Sequence, residues 1–149
     1  MKGGILEVLL VSAEGIRHTK LIGKSANYVI IECGTQVHRS KTSAGHHGEV
    51  YWNEKFTFEF PSSEWENLTD LKLKIMDEKY FSDGGFVGET IVYLDRIIMK
   101  GNDEGIIELI PAPYNVVLED DTYKGEIKIG IKFISNVRIE NCIEGRDHI

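Results

Sequence analysis

The chain has 149 residues, with 24 acidic and 17 basic side chains and a formal charge of −7. That length fits one domain, and 42% hydrophobic residues can build a core without staples. An acidic balance argues against general nucleic-acid affinity, which needs clustered cations. No apolar run approaches the ~20 residues of a transmembrane helix. Met1-Lys2-Gly3-Gly4-Ile5 enters a strand pattern directly, without the architecture of a secretory signal. Cys33 and Cys142 therefore read as reduced thiols in a cytoplasmic protein.

The segment from Ile5 to Val11 is apolar enough for a strand covered on both faces. A loop follows, and then the candidate strands Tyr28–Cys33 and Gln36–Ser40, with a tight hairpin at Gly34-Thr35. Ser43-Ala44-Gly45-His46-His47-Gly48 reads as a loop. Period-two alternation then sets Phe56, Phe58 and Phe60 on one face of a strand. Leu71-Lys72-Leu73-Lys74-Ile75 turns aliphatics inward and lysines outward in the same way. Ser82-Asp83-Gly84-Gly85 is a turn before the strand Phe86–Leu94, and Leu94–Lys100 forms a short helix ended by Gly101. Ile106–Ile110 is a further strand. Pro111-Ala112-Pro113 opens a long connection to Gly125, and Glu126–Phe133 shows the clearest alternation. About eight short strands separated by turns predict an all-β antiparallel sandwich. The domain is expected to span residues 1–135, with a polar tail at 136–149.

No catalytic pattern is present. The sequence lacks Gly-x-Ser-x-Gly, His-Glu-x-x-His, a phosphate-binding loop and Cys-x-x-Cys, so neither an enzyme nor a cofactor is expected. His46-His47 offers imidazoles for a transition metal, but adjacent residues rarely face one ion, and a plain surface loop is the expectation. Charge is uneven. Within residues 17–48, Arg17, Lys20, Lys24, Arg39 and Lys41 face only Glu32, and His18, His38, His46 and His47 fall there too. On composition alone this is a solvated surface.

Four fragments together resemble the C2 domain family. They are Gly4-Ile5-Leu6-Glu7-Val8-Leu9-Leu10-Val11, Gly23-Lys24-Ser25-Ala26-Asn27-Tyr28-Val29, Trp52-Asn53-Glu54-Lys55-Phe56-Thr57-Phe58, and Asp77 followed by Phe86-Val87-Gly88-Glu89. The resemblance covers roughly residues 3–134. Tyr114-Asn115-Val116-Val117 and Tyr123-Lys124-Gly125-Glu126-Ile127 narrow it to the small single-C2 plant proteins of the elicitor-responsive and small phloem type. It implies a cytoplasmic, peripherally membrane-associating protein linked to defence signalling; some phloem members are also linked to RNA movement. It further implies an eight-stranded sandwich in the second (phospholipase-type) topology. Loops 16–27, 41–54, 77–86 and 111–124 would then share one end, and the termini the other.

The resemblance permits a check of the family's calcium ligands. Calcium takes ~6–8 oxygens, so several carboxylates must converge. The first-loop aspartates fall on Lys20 and Ala26. In the third loop Asp77 remains, the second aspartate falls on Lys79, and an Asp-Asp pair falls on Gly84-Gly85 with Asp83 one residue early. Lysine would place an ammonium where the dication sits, so no bound metal is expected. Asp77 and Asp83 are the residual acids. A rival set (Asp83, Glu119, Asp120, Asp121) reads as a solvated turn.

The expected partner is an anionic phospholipid surface, bound weakly, with a protein partner as a further possibility. Two surfaces are candidates. At the tip, Arg17, Lys20 and Lys24 flank Leu21-Ile22, with His46 and His47 nearby; the alternative is that Leu21 or Ile22 folds back onto the sandwich. On the strands, His38, Arg39, Lys55, Lys72 and Lys74 form a basic face; the alternative is that these are ordinary solubilising side chains. Three functions stay open: a calcium-independent adaptor binding lipid or protein, a calcium-dependent phospholipid sensor, and an RNA-associated trafficking protein. The net charge and the lack of interleaved Arg and aromatic residues weigh against the last.

Overall fold

The structure is a computed structural model describing residues 2–16, 26–78, 85–118 and 120–139. Its elements are β1 (Lys2–Glu14), β2 (Ala26–Cys33), β3 (Gln36–Arg39), β4 (Ser43–Ala44), β5 (Glu49–Pro61), α1 (Ser62–Trp65), β6 (Asp70–Asp77), β7 (Phe86–Tyr93), α2 (Asp95–Glu104), β8 (Ile106–Leu118) and β9 (Tyr123–Arg138). Strands pair in the order β3-β2-β6-β7-β8-β9-β1-β5, with β4 on β2, and every pair is antiparallel. β7 and β8 meet only at Gly88–Leu118 and Glu89–Val117. There the path folds into two layers, β3-β2-β6-β7 and β8-β9-β1-β5. The last strand, β9, pairs with the first, β1, as the second C2-like topology requires.

Alternation builds the core. Leu6, Val8 and Leu10 point inward with Phe58, Phe60, Ile127, Ile129, Ile131 and Phe133. They meet Val29, Ile31, Leu71, Leu73 and Ile75 from the other layer. Trp65 closes the end where β1 begins and β9 ends: its indole N–H donates to Gly4 O at 2.9 Å, and its ring meets Phe60 and Phe133 edge-on. Cys33 faces the core, where burial, aided by Asp70, pushes its thiol up to about 12.

Three of the boundaries that differ from expectation have a clear physical reason or bear on the core. The helix passes Gly101 and ends at Gly105, whose φ of 87° takes the left-handed cap. Gly101 is there for close approach: a Cβ would lie 2.4 Å from the Phe133 ring. The connection expected from Pro111 onward is strand as far as Leu118. The prolines are tolerated because this part of β8 has a ladder on its β9 side only. β9 runs to Arg138, and Ile139 is buried.

The Trp52-Asn53-Glu54 fragment has a mechanical reason. Trp52 Nε1 donates to Asn27 O at 3.1 Å, which ties β5 to β2. Asn53 sits at φ 51°, where the β1–β5 register shifts. Asparagine tolerates this conformation better than most residues. Glu54 then accepts the Lys41 amide at 3.0 Å. Asn53→Val should therefore cost ~1–2 kcal/mol in urea unfolding, while Asn53→Gly should be close to neutral. In a Cys142→Ser background, Cys33 should resist maleimide at neutral pH until the protein unfolds.

Candidate functional site

The register of β2, β3 and β6 decides which cations can act together. The Gly34-Thr35 turn pairs Cys33 with Gln36, and the ladder then sets Ile30 opposite Arg39 and Glu32 opposite Val37. On the other edge of β2, Ile30 meets Lys74 and Glu32 meets Lys72. Lys72 and Lys74 in turn meet Ile91 and Glu89 of β7. One outer face therefore carries two adjacent rows. The first is Arg39-Ile30-Lys74-Glu89, and the second is Val37-Glu32-Lys72-Ile91.

Within this face the Arg39 guanidinium lies 3.8 Å from the centre of the Tyr28 ring, a cation–π contact. Lys74 Nζ lies 3.1 Å from Glu32 Oε2. Glu32 thus pairs with Lys74 and stands opposite Lys72 in the ladder. Arg39, Lys72 and Lys74 are matched by Glu32, Asp70 and Glu89, so the face is mixed in charge. Val37, Ile91 and Tyr93 leave exposed apolar surface between the charges.

The other two residues expected on this face lie elsewhere. Lys55 belongs to the β5 layer, with Nζ 3.6 Å from Glu7, on the opposite outer surface. His38 faces the seam between β3 and β5. Its Nε2 is 2.9 Å from Thr57 O and its ring meets Phe56 and Phe58. A carbonyl only accepts, so Nε2 carries the proton and donates.

At the tip, His46 and His47 are exposed in a tight turn. His46 and Glu49 exchange both backbone hydrogen bonds, and His47 (φ 55°) and Gly48 (φ 84°) fill the two left-handed positions of a type I′ turn. The Gly15 amide donates to Gly48 O, which joins this turn to the end of β1. Asp77, an expected residual ligand, is only 3% exposed. Its amide donates to Gly85 O, and its register partner is Asn27. Asn27 Nδ2 donates to Met76 O at 3.1 Å, crosslinking β2 and β6. Arg17, Lys20, Leu21, Ile22, Lys24, Lys79 and Asp83 lie outside the described residues. Among the described residues no three His, Cys, Asp or Glu side chains converge to hold a metal, and no helix is long and apolar enough to cross a membrane.

Tyr28, Ile30 and Glu32 were absent from the expected site. Their signal was arithmetic: once Gly34-Thr35 fixes the hairpin, Arg39 must lie beside Ile30 and diagonal to Tyr28.

The family model described as C2 domain matches residues 4–109. Elicitor-responsive protein 3 of Oryza sativa subsp. japonica is 37% identical over 133 residues, covering 89% of this chain and 85% of the relative. The 16 kDa phloem protein 1 of Arabidopsis thaliana is 36% identical over 138 residues, covering 89% and 86%. Among solved structures, a C2 domain-containing protein from an elicitor-responsive gene superposes with a TM-score of 0.71 at 31% identity, over 94% of this chain and 96% of that one.

The Arg39–Tyr28 contact is exposed, so a double-mutant cycle of Arg39→Ala with Tyr28→Leu should return a coupling of ~0.5–1 kcal/mol in urea unfolding.

Proposed function

The chain belongs to the C2 domain family, and on that premise we propose that it is a calcium-independent binding module, not an enzyme, that docks peripherally on anionic phospholipid. The observation that carries this reading is the outer face of β3-β2-β6, where Arg39 is held on Tyr28 with Lys74 two strands away. Neighbouring strands lie ~4.8 Å apart, so the two cations span ~10 Å, the scale of one phosphorylated headgroup or two adjacent ones. Arg17, Lys20 and Lys24 around Leu21-Ile22 supply a second set of cations in the sequence.

Calcium independence is supported by position. Ala26 and Gly85 stand where the family places carboxylates, and neither side chain offers an oxygen. Lys20 and Lys79 stand at two more such positions. Magnitudes keep the binding weak. Three cations contribute ~3 kcal/mol at an anionic surface, while association costs at least ~4 kcal/mol. Apolar insertion must supply the rest, at ~1.5–3 kcal/mol per buried aliphatic side chain. Glu32 lowers the electrostatic part by holding Lys74.

Cosedimentation with phosphatidylserine vesicles tests this. Binding should weaken steeply as salt rises, because the Debye length falls from ~10 Å at 0.1 M to ~3 Å at 1 M. Arg39→Glu with Lys74→Glu should abolish it. Glu32→Gln should strengthen it several-fold, since a surface ion pair is worth ~0.2–1 kcal/mol. Calcium at about 1 mM should change neither binding nor melting temperature relative to chelator, whereas a ligand at 100 times its Kd would add ~2.7 kcal/mol. A clear rise would favour the calcium-dependent sensor.

A further inference from the structure

The layer opposite Arg39 carries a groove that the lipid reading does not use. Two adjoining cavities run along the outer side of the β1–β9 pair. One, of about 140 Å³, is lined by Leu9, Pro111 and Gly130 among others. The next, of about 300 Å³, is lined by Val11, Pro113 and Lys128 among others. Each set lies two residues from the other on the same three strands, so the cavities follow one another along one face. Leu9 and Val11 are only half-buried there. They are the outward apolar residues of a strand expected to be covered on both faces.

Charge gives the groove a direction. At its first end Lys55, Glu7, Lys132 and Glu108 balance one another. At its second end Glu49, Glu14 and Glu126 stand directly opposite one another on β5, β1 and β9. Among the described residues Lys128 is the one cation lining that end, and the Tyr51 hydroxyl donates to Glu49. Like charges placed opposite one another repel, so this row favours an incoming cation.

We propose that this groove binds an extended peptide segment of a partner protein, with Arg or Lys at the end lying among Glu14, Glu49 and Glu126 and Pro, Val or Leu side chains over Leu9, Val11, Pro111 and Pro113. The run from Glu7 to Glu14 is ~20 Å, which accommodates about six extended residues. The groove lies on the other layer from Arg39, Lys72 and Lys74, so its test is independent of lipid binding.

The probe is the hexapeptide acetyl-Arg-Arg-Pro-Val-Pro-Leu-amide, titrated into ¹⁵N-labelled full chain beside its Glu-Glu counterpart. The basic peptide should shift the amides of Leu9, Val11, Glu14, Tyr51, Lys128 and Gly130 and leave those of Arg39, Lys72 and Lys74 in place. Glu14→Gln with Glu126→Gln should lower its affinity about tenfold, the sum of two exposed ion pairs. That variant should fold as the parent does, because it removes a repulsion. Lys128→Ala should bind more tightly. No shift at about 1 mM peptide, the weak end of specific recognition, would overturn the proposal. So would shifts confined to other faces, an equal response to both peptides, or unchanged affinity in the double variant.

Discussion

One extra residue in β1, counted against β9, decides which side chains its layer turns to solvent. Leu6, Val8 and Leu10 point inward with no exposure, and strict alternation would send Ser12 and Glu14 after them. Both ladders of β1 instead shift between Leu10 and Ser12: against β9 Val11 is the extra residue, and against β5 the extra residue is on β5, where Trp52 and Asn53 face Val11. Parity reverses: Ala13 becomes core at 1% exposure and Glu14 stays in solvent. The alternative, an unpaired carboxylate among Ile127 and Val50, would cost several kcal/mol. β5 follows the shift through the left-handed Asn53. The same reversal brings Glu14 into line with Glu49 and Glu126.

A sandwich of this order ends in two edge strands, β3 and β5, and exposed edges invite association. Here side chains close the seam in place of a ladder. Gln36 Nε2 donates to Glu59 O at 2.7 Å, His38 Nε2 to Thr57 O, and the Lys41 amide to Glu54. That duty removes His38 from the basic surface, and it explains why a short β3 suffices: Gln36 and His38 bind across the gap, while its backbone needs only β2.

The strands of uniform parity were legible in the sequence. β2, β6 and β9 alternate from end to end or nearly so, and their inward sets are those that period two predicts. What escaped were places where one local rule yields to packing. Gly101 reads as a helix stop, yet it marks where Phe133 presses on the helix. Pro111 and Pro113 read as a loop, yet they edge a strand whose neighbour has turned away. At the site, Arg39, Lys72 and Lys74 share a face because hairpin register is a local property. Lys55 does not join them, because strand order across layers is set by the whole chain and leaves no trace in β5 itself.

The two outer faces also resolve a difficulty posed by the net charge of −7. A domain this acidic is repelled by anionic lipid if its charges act as a sum. They do not act as a sum at short range. Packed sheets lie ~10 Å apart, and the Debye length at physiological salt is ~8 Å. In the proposed docking of the Arg39 face on a membrane, the row Glu49-Glu14-Glu126 on the far layer would be more than one Debye length away and largely screened. Such a contact would sense Arg39, Lys72 and Lys74 against Glu32, Asp70 and Glu89, a near-neutral set in which Glu32 holds Lys74. The far layer keeps its acids turned to solvent, where a cationic segment can reach them. The proposed lipid and peptide sites therefore need not compete for one surface: the same two-layer fold that hides the core also separates the charges by about the distance at which salt makes them independent.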